Sequence, residues 1–209
     1  MQRICTIAYT TPMLSSFGPL PEVPILETER LRLRGHRLED FPHSAAMWAD
    51  PTVVRYVGGN PLTEEESWTK FLRYCGHWCL LGFGYWLAEE KATGSFVGEI
   101  GFADYKRDLQ TSLKGIPEIG WVLASHAHGK GYATEAVRTL TAWSDTHFGP
   151  VRTACIIHPE NHASIHVAEK CGYREWQNTT YKNHAVTIFV RDGKASVAQE
   201  RERDRQPLD

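Results

Sequence analysis

The stretch SHAHGKGYATEAVRTL, residues 125–140, combines two glycines and a lysine immediately before a helical pattern. Gly129 and Gly131 lack the Cβ atoms that would keep a large anion away from the backbone. The first turn of a helix has unpaired N–H groups and the positive end of the helix dipole, which together favour phosphate oxygens. The stretch therefore predicts a phosphate-binding loop. The alternative is a turn whose glycines serve backbone geometry alone.

Two common phosphate-binding motifs do not fit this stretch. A P-loop has Ser or Thr directly after its lysine, whereas Gly131 follows Lys130 here. A Rossmann fingerprint lies on the first βα turn of a parallel unit. This loop instead follows a predicted antiparallel hairpin in the middle of the chain, so it belongs to neither class.

Three further polar side chains lie close to this loop in the predicted order of elements. The segment NHASIHVAEKCGY predicts a short helix with Asn161 as N-cap and Gly172 as C-cap, and Ser164 falls in its first turn. Glu118 lies on the strand that leads to the loop, and Glu99 lies on the neighbouring strand. Both carboxylates are candidate proton acceptors, with an ordinary surface charge as the alternative for each.

Three histidines, His158, His162 and His166, recur at a spacing of four. On one continuous helix they would share a face and could bind zinc. However, His158 precedes Pro159 and falls in a strand pattern, and no H-E-x-x-H motif or cysteine ligand accompanies the set. The sequence therefore predicts no metal site.

Hydrophobic periodicity defines the elements that must position these residues. The strand before the glycine loop follows a hairpin with the turn KATG, and a second hairpin ends the pattern. A Thr63-x-x-Glu66 capping box begins the long helix before the first hairpin. The predicted order is strand (Leu26–Arg34), two helices (Leu38–Ala49 and TEEESWTKFLRYCGHW), three strands (FGYWLAEE, SFVGEIGFADY and PEIGWVLA), a helix ending at Gly149-Pro150, a strand (Val151–His158), the helix capped by Asn161, and two strands (Tyr173–Thr180 and His184–Arg191).

The composition predicts one globular domain. The chain has 209 residues, of which 42% are hydrophobic and 23% are charged, enough to bury a substantial core. The periodic patterns occupy residues 25–191. Residues 1–24 carry four prolines and predict an extended or disordered arm. Residues 192–209 predict a charged tail.

The charge pattern excludes several classes of partner. A formal net charge of -2 leaves no broad basic surface for nucleic acid or for an anionic membrane. No apolar run is long enough to span a bilayer, and the first residues are too polar for a signal peptide. The five cysteines form no C-x-x-C pair, which favours reduced, mostly buried thiols. We therefore expect a cytoplasmic protein that binds neither nucleic acid nor membrane.

Two linked motifs resemble those of the GNAT acyltransferase superfamily. The family's diphosphate pattern, Gln/Arg-x-x-Gly-x-Gly/Ala, corresponds to HGKGYA at residues 128–133. Its second pattern, Asn-x-x-Ser/Ala followed by Gly-Phe, corresponds to NHAS at 161–164 and GY at 172–173. The segments LETERLRLRGHRLEDF, ADPTVVRYVGG and EIGWVLASHAHGKGYATEA resemble the RimJ/RimL-like branch, which acetylates protein N-terminal α-amines and, in other members, small amines. The resemblance covers residues 25–191.

The resemblance implies an α/β fold. Its mixed, mostly antiparallel sheet would be flanked by helices and splayed between the fourth and fifth strands. It also implies an N-acetyltransferase without a metal, in which a primary amine attacks the thioester of acetyl-CoA directly. The acceptor would be a protein N-terminal α-amine or a small molecule, and the protein a monomer or homodimer. The alternative is a catalytically weak acyl-CoA sensor, because Ala168 stands where many members have a catalytic tyrosine.

The same resemblance assigns roles to individual residues. The backbone near Leu123 would bind the pantetheine arm and polarise the thioester carbonyl, and Ser164 would act as acid or thiolate stabiliser, with simple capping as its alternative. His128 departs from the usual Gln or Arg of the first motif. The implied acetyl-CoA-binding residues are Trp121, Val122, Leu123, His128, Gly129, Lys130, Gly131, Tyr132, Ala133, Thr134, Asn161 and Ser164.

The need for a general base depends on the acceptor. Deprotonating a lysine-like amine, with a pKa of about 10.4, costs about 4 to 5 kcal/mol at neutral pH, whereas an α-amine near about 7.8 costs only about 1 kcal/mol. A weak base or an ordered water therefore suffices for an α-amine. The candidate catalytic residues are Ser164, Glu118 and Glu99.

Overall fold

The computed structural model describes residues 22–194, which form one mixed sheet with helices on both faces. The strands are β1 (Leu26–Glu27), β2 (Leu31–Arg34), β3 (Tyr85–Glu90), β4 (Phe96–Ala103), β5 (Glu118–Leu123), β6 (Thr153–Ile157), β7 (Arg174–Tyr181) and β8 (His184–Arg191). Their order across the sheet is β1-β2-β3-β4-β5-β6-β8-β7. Every neighbouring pair is antiparallel except β5 and β6, which are parallel.

Two of the five helices have the caps that the sequence predicts. The helices are α1 (Phe41–Trp48), α2 (Pro51–Val54), α3 (Glu64–Leu81), α4 (Tyr132–His147) and α5 (His162–Lys170). At the start of α3, the side chain of Thr63 accepts a hydrogen bond from the Glu66 N–H, and the Glu66 carboxylate accepts one from the Thr63 N–H. At the start of α5, the side chain of Asn161 accepts one from the Ser164 N–H.

The predicted first strand, Leu26–Arg34, is wrong as a single element. The chain reverses at residues 28–30, and β1 and β2 pair with each other as an antiparallel hairpin. The reversal is stabilised by Thr28, whose Oγ1 accepts from the Leu31 N–H at 2.8 Å. The alternating pattern does not reveal the turn, because a short hairpin keeps the same side chains facing the core.

The predicted first helix, Leu38–Ala49, is also more broken than expected. Leu38–Asp40 form a 3-10 turn, and α1 begins only at Phe41. Asp50 does not end the helical region: its side chain accepts from the N–H of Thr52 and caps α2. The Asp-Pro pair thus starts a helix, in agreement with the preference of proline for the first helical position.

The splay predicted between the fourth and fifth strands is confirmed at β5 and β6. These strands share a single register pair, Glu118 with Ala154, and the Ala154 N–H donates to the Pro117 carbonyl at 3.1 Å. By contrast, β4 and β5 pair over six residues each. The contact of β5 with β6 lies near the start of both strands, and no further register pair follows it. The two parallel strands therefore diverge towards their carboxyl ends and form a V-shaped opening.

The two faces of the sheet are covered by different helices. On one face, Ile100, Phe102 and Ile119 belong to the same buried cluster as Val137 and Leu140 of α4. Alternation places Glu99, Gly101, Val122 and Glu118 on the opposite face, where α1 and α3 pack. Candidate proton acceptors and candidate phosphate-binding elements therefore meet at the same pair of central strands.

Residues at both borders of the described region are attached to the domain. Val23 packs against the core, and the Pro24 carbonyl accepts from Trp86 Nε1 at 2.7 Å. At the other end, Asp192 forms ion pairs with Arg152 and Arg174. The predictions of an extended arm and a charged tail otherwise fall on residues 1–21 and 195–209, which lie outside the described region. Within residues 22–194, no helix has the length and apolarity needed to cross a bilayer.

Candidate active site

The V between β5 and β6 has the two sequence motifs at its open end. The glycine loop follows the carboxyl end of β5, and the segment with Asn161 and Ser164 follows the carboxyl end of β6. A weak hydrogen bond from Cys171 Sγ to the Thr134 carbonyl, 3.7 Å, holds α5 against α4. The parallel direction of the two strands thus brings both motifs to one edge of the sheet.

Both histidines of the glycine loop bind the backbone of the central strands. His126 Nε2 lies 3.0 Å from the carbonyl of Phe96, at the start of β4. His128 Nε2 lies 2.9 Å from the carbonyl of Leu123, at the end of β5. A carbonyl can only accept, so each Nε2 must carry the proton. His128 therefore fixes the loop to the strand, and it binds the carbonyl of Leu123, in the stretch of backbone that was predicted to contact pantetheine.

The loop has the free space that a phosphate group requires. Gly129 (φ 74°) and Gly131 (φ 82°) both have positive φ angles, which glycine adopts without strain. A Cβ atom on Gly129 would have no neighbour within 4 Å, and one on Gly131 would meet only Arg30 Nη2, at 3.4 Å. Gly131 is also the N-cap of α4, which has 16 residues. The amides of Gly129 to Thr134 thus border an open space at the positive end of a helix dipole.

The start of α4 is held by a charged group that the sequence analysis missed. The Arg30 guanidinium donates to the Lys130 carbonyl at 2.9 Å and forms an ion pair with Glu135 at 2.6 Å. The same Glu135 carboxylate accepts from Thr28 Oγ1 at 2.5 Å. Arg30 also lies over the ring of Tyr132, 4.6 Å from its centroid. The turn between β1 and β2 therefore anchors the glycine loop, although no local sequence signal links the two segments.

Replacing Glu135 with Gln should lower the melting temperature by about 2 to 4 °C at neutral pH, because the loss is about 1 kcal/mol for a partly exposed pair. Burial raises the pKa of Glu135, but hydrogen bonds from Thr28 and Arg30 outweigh it and hold the pKa below the ordinary 4.5. The stabilisation is therefore complete above pH 4.5 and is lost as the pH falls through the lower folded-state value. The melting temperatures of the wild type and the variant should therefore converge as the pH is lowered from neutral to acidic. A difference that stays constant with pH would contradict this account.

The first turn of α5 presents Ser164 without a competing partner. Its N–H donates to Asn161 Oδ1 at 3.2 Å, and no residue in 22–194 forms a hydrogen bond with its hydroxyl group. The Asn161 side chain is engaged as the N-cap. Four residues further along α5, Ala168 is fully buried in the core. The structure thus leaves one hydroxyl group at this helix start that can interact with a ligand.

Glu99 is a buried anion with fixed partners. Its exposed fraction is 0%. Ser44 Oγ donates to Oε1 at 2.5 Å, Trp48 Nε1 donates to Oε2 at 2.8 Å, and His36 Nε2 lies 3.6 Å from Oε1. Burial alone would raise the pKa of Glu99, but these three neighbours outweigh it and hold the pKa below its usual value. The alternative that Glu99 is a surface charge is therefore wrong.

Glu118 is 7% exposed, so a surface charge is wrong here too. Arg107 binds both of its oxygens, Nε to Oε2 and Nη2 to Oε1, each at 2.6 Å. A cavity of about 50 Å³ adjoins this pair. The two bonds from Arg107 leave one lone pair free on each oxygen of Glu118, which can accept from an amine or from a water. No sequence pattern predicts Arg107 as the partner of Glu118.

Tyr85 crosses the centre of the sheet beside Glu118. A Cβ atom on Gly120 would lie 2.1 Å from the Tyr85 hydroxyl oxygen, so that oxygen occupies the place of a side chain on β5. Trp121 and Val122 are half-buried in the same strand. Burial raises the pKa of Tyr105, a further neighbour of Glu118, to about 12, so its hydroxyl group stays protonated at neutral pH. Only Gly at position 120 permits this arrangement.

The three regularly spaced histidines do not converge. His158 stacks on Tyr56, with ring centroids 5.3 Å apart. His162 and His166 are exposed on α5. In the part of the chain that the structure describes, no group of three or more His, Cys, Asp or Glu side chains could hold a metal ion.

Comparison with known proteins places this fold and site in a family. YkkB of Bacillus subtilis (strain 168) is 31% identical over 174 residues, which are 79% of this chain and 94% of YkkB. The crystal structure of an acetyltransferase from Agrobacterium tumefaciens str. C58 is 28% identical, with a TM-score of 0.71 over 81% of this chain and 95% of that one. The ribosomal L7/L12 alpha-N-protein acetyltransferase RimL, solved in complex with coenzyme A, shares the fold alone at 14% identity, with a TM-score of 0.68 over 83% of this chain and 100% of that one.

The family described as "Acetyltransferase (GNAT) domain" matches residues 30–174. This range contains β2 to β6, the glycine loop, the segment with Asn161 and Ser164, and both candidate carboxylates. The predicted fold class is confirmed by the splayed, mostly antiparallel sheet. Since the match spans more than half of its length, the chain belongs to the GNAT acetyltransferase family.

Proposed function

We propose that the chain is an acetyl-CoA-dependent N-acetyltransferase of the RimJ/RimL-like type, with its catalytic unit at residues 25–191. The acceptor is a primary amine, either a protein N-terminal α-amine or a small molecule, and the enzyme is a cytoplasmic monomer or homodimer. In the reaction, a bond forms between the amine nitrogen and the acetyl carbonyl carbon while the carbon–sulfur bond breaks. The amine loses one proton and the departing thiolate gains one.

One observation carries this proposal: the glycine loop borders an open space at the edge of the V between β5 and β6. Diphosphate oxygens would bind the amides of Gly129 to Thr134, where a Cβ atom on Gly129 would have no neighbour within 4 Å. An amide-rich pantetheine arm fits a strand with an unpaired edge, and β5 pairs with β6 only at Glu118. The Leu123 carbonyl already accepts from His128, and its second lone pair could accept from the pantetheine arm as well.

Proton transfer would use groups on both sides of the V. Ser164 would donate a hydrogen bond to the departing sulfur, where negative charge develops. Glu118, or a water bound to it, would take the proton from the amine. Glu99 would contribute its negative charge to the side of the V where the amine binds. It would do so from within the core, since its oxygens accept from Ser44 and Trp48.

Glu118→Gln should reduce kcat/KM by about tenfold to a hundredfold at neutral pH, with a loss that narrows as the pH rises. Gln keeps the shape and cannot accept the proton, and hydroxide or water can partly replace a base at high pH. Rate profiles against pH for the wild type and the variant provide the measurement. An unchanged rate and profile would remove Glu118 from the mechanism and leave Glu99 or a bound water.

Arg107→Gln is the matched control for this experiment. It breaks the same ion pair but keeps the carboxylate, so both variants should lose a similar amount of stability. Arg107→Gln keeps the group that would accept the proton, so its kcat/KM at neutral pH should fall less than that of Glu118→Gln. Two variants with equal melting temperatures and equal profiles would indicate a purely structural pair.

The function itself is tested by an acetyl-CoA turnover screen with N-terminal peptides, polyamines, aminoglycosides and free amino acids as acceptors. Turnover with any of these amines supports an enzyme. The competing function is an acyl-CoA sensor, which is favoured by the buried Ala168 in place of a tyrosine. Binding of acetyl-CoA without turnover of any amine would favour that alternative.

A further inference from the structure

Four cationic side chains gather on the face of the sheet that carries Glu99 and Glu118. Lys70 and Arg73 come from α3, Arg107 from the segment between β4 and β5, and Lys182 from the turn between β7 and β8. We call these four residues the basic cluster. Three separate elements supply it, so it is a product of the tertiary fold and not of one charged segment.

Aromatic rings hold the basic cluster together. Arg73 and Arg107 both lie over the ring of Tyr105, with Cζ 5.1 Å and 4.6 Å from its centroid. Arg107 and Lys182 both lie over the ring of Tyr181, at 4.8 Å and 5.7 Å. Ring faces attract cations without neutralising them. The arrangement therefore concentrates positive charge beside the cavity at Glu118.

Lys70 is the least solvated member of the basic cluster. Its Nζ atom lies 4.0 Å from the centroid of the Trp48 ring. Burial lowers the pKa of Lys70 to about 8, and the charges of Arg73, Arg107 and Lys182 contribute to the decrease, against a smaller opposite effect of Glu99. The charged form of Lys70 is therefore disfavoured by its surroundings, and the charge of Glu99 offsets only part of this effect.

The nearby carboxylates leave most of this charge uncompensated. Glu118 forms its ion pair with Arg107. Glu99 accepts from Ser44 and Trp48 instead of from a member of the cluster. Within residues 22–194, Lys70, Arg73 and Lys182 form no ion pair within 4.0 Å. Three cations therefore remain available for an anionic ligand.

We propose that the basic cluster binds a carboxylate group that lies within a few bonds of the acceptor amine. This inference rests on the proposed function and specifies its acceptor. The cluster shares its face of the sheet with both candidate proton acceptors, while the phosphate loop lies at the open edge of the V. A free α-amino acid, or a peptide whose second residue is acidic, provides this chemistry. Polyamines and aminoglycosides bring further cations to the cluster and are repelled.

The experiment compares acceptors that differ only in this charge. L-Phenylalanine, L-phenylalaninamide and phenethylamine share one apolar group, and putrescine represents a polycation. A pair of C-terminally amidated peptides, with aspartate or asparagine at the second position, distinguishes a peptide from a free amino acid as the source of the carboxylate. The ammonium group of L-phenylalaninamide is more acidic than that of L-phenylalanine. If the ease of proton loss alone decided the rate, the amide would therefore be the better acceptor.

We expect kcat/KM to be at least about tenfold higher for the carboxylate-bearing acceptor of a pair than for its neutral partner, mainly through KM. Lys70→Gln should reduce this ratio towards one and leave the rate with the neutral partner nearly unchanged. Lys182→Gln, in an exposed turn, provides the same test if Lys70→Gln does not fold. Lys170→Gln, an exposed lysine at the end of α5, is the control and should keep the wild-type ratio.

Failure of the inference and failure of the proposed function give different results. Equal or higher kcat/KM for neutral or polycationic acceptors would overturn the inference and leave the acetyltransferase intact. A ratio that is unchanged in both Lys70→Gln and Lys182→Gln would also overturn it. If none of the amines is acetylated, the proposed function fails first, and this inference fails with it.

Discussion

Replacing Gly131 with valine should abolish most of the stabilisation that coenzyme A gives to the folded protein. At a hundredfold its dissociation constant, the ligand should add about 2.7 kcal/mol to the wild type, or about 5 to 10 °C in melting temperature. The valine methyl groups would enter the space beside the loop where only Arg30 Nη2 lies within 4 Å of a Cβ atom. Calorimetric melts with and without coenzyme A measure the effect.

Gly94→Val is the matched control for this prediction. Gly94 lies in the turn between β3 and β4, with φ 70° against 82° at Gly131, and a Cβ atom there would meet no neighbour within 4 Å, whereas one on Gly131 meets only Arg30 Nη2. Both substitutions therefore place a β-branched residue in the left-handed region and should cost similar stability without ligand. Only Gly131→Val should lose the response to coenzyme A. Equal stabilisation in the two variants would remove the loop from the binding site.

Ser164→Ala should reduce kcat by about a hundredfold and leave the affinity for acetyl-CoA nearly unchanged, because a contact to the departing sulfur strengthens as thiolate charge develops. The hydroxyl group forms no hydrogen bond within residues 22–194, and the cap of α5 comes from Asn161. The substitution therefore costs little stability. Steady-state kinetics and equilibrium binding of acetyl-CoA give the two quantities separately.

Asn161→Ala serves as the comparison for Ser164→Ala. It removes the helix cap, at a cost of about 1 kcal/mol, and should weaken acetyl-CoA binding more than it slows the chemical step. A Ser164→Ala enzyme with unchanged kcat and a raised KM would instead make Ser164 a binding or capping residue. The two variants together separate support of the helix start from interaction with the leaving group.

Signals in the sequence were sufficient wherever the cause of a structure is local. The capping box at Thr63 and Glu66, the Asn161 cap and the glycines of positive φ all act within a few residues of the chain. Runs rich in apolar and aromatic residues, bounded by turn residues such as KATG, placed β3, β4, β5 and the second hairpin. The parallel direction of β5 and β6 then places both motifs at one edge of the sheet.

Local sequence patterns failed to predict the structure where one pattern fits two structures equally well. The alternation of Leu26–Arg34 fits one strand or a tight hairpin, and the side chain of Thr28 decides between them by bonding to Leu31. Glu99 and Glu118 have the spacing of surface charges on strands. Only the tertiary structure decides what covers them: α1 covers Glu99 through Ser44 and Trp48, and Arg107, from the segment between β4 and β5, binds Glu118.

By itself, the sequence determined the family, through its two linked motifs, and the glycine loop and the helix that carries Ser164, because loop and helix depend on neighbours within about one helical turn. Only the tertiary structure decided the electrostatics of the site. Arg30 lies 105 residues from Glu135, and Glu118 is paired across a loop with Arg107. The basic cluster draws on α3 and on the last hairpin. Such contacts depend on how distant segments pack, and no local pattern encodes which charged side chain a buried carboxylate will meet.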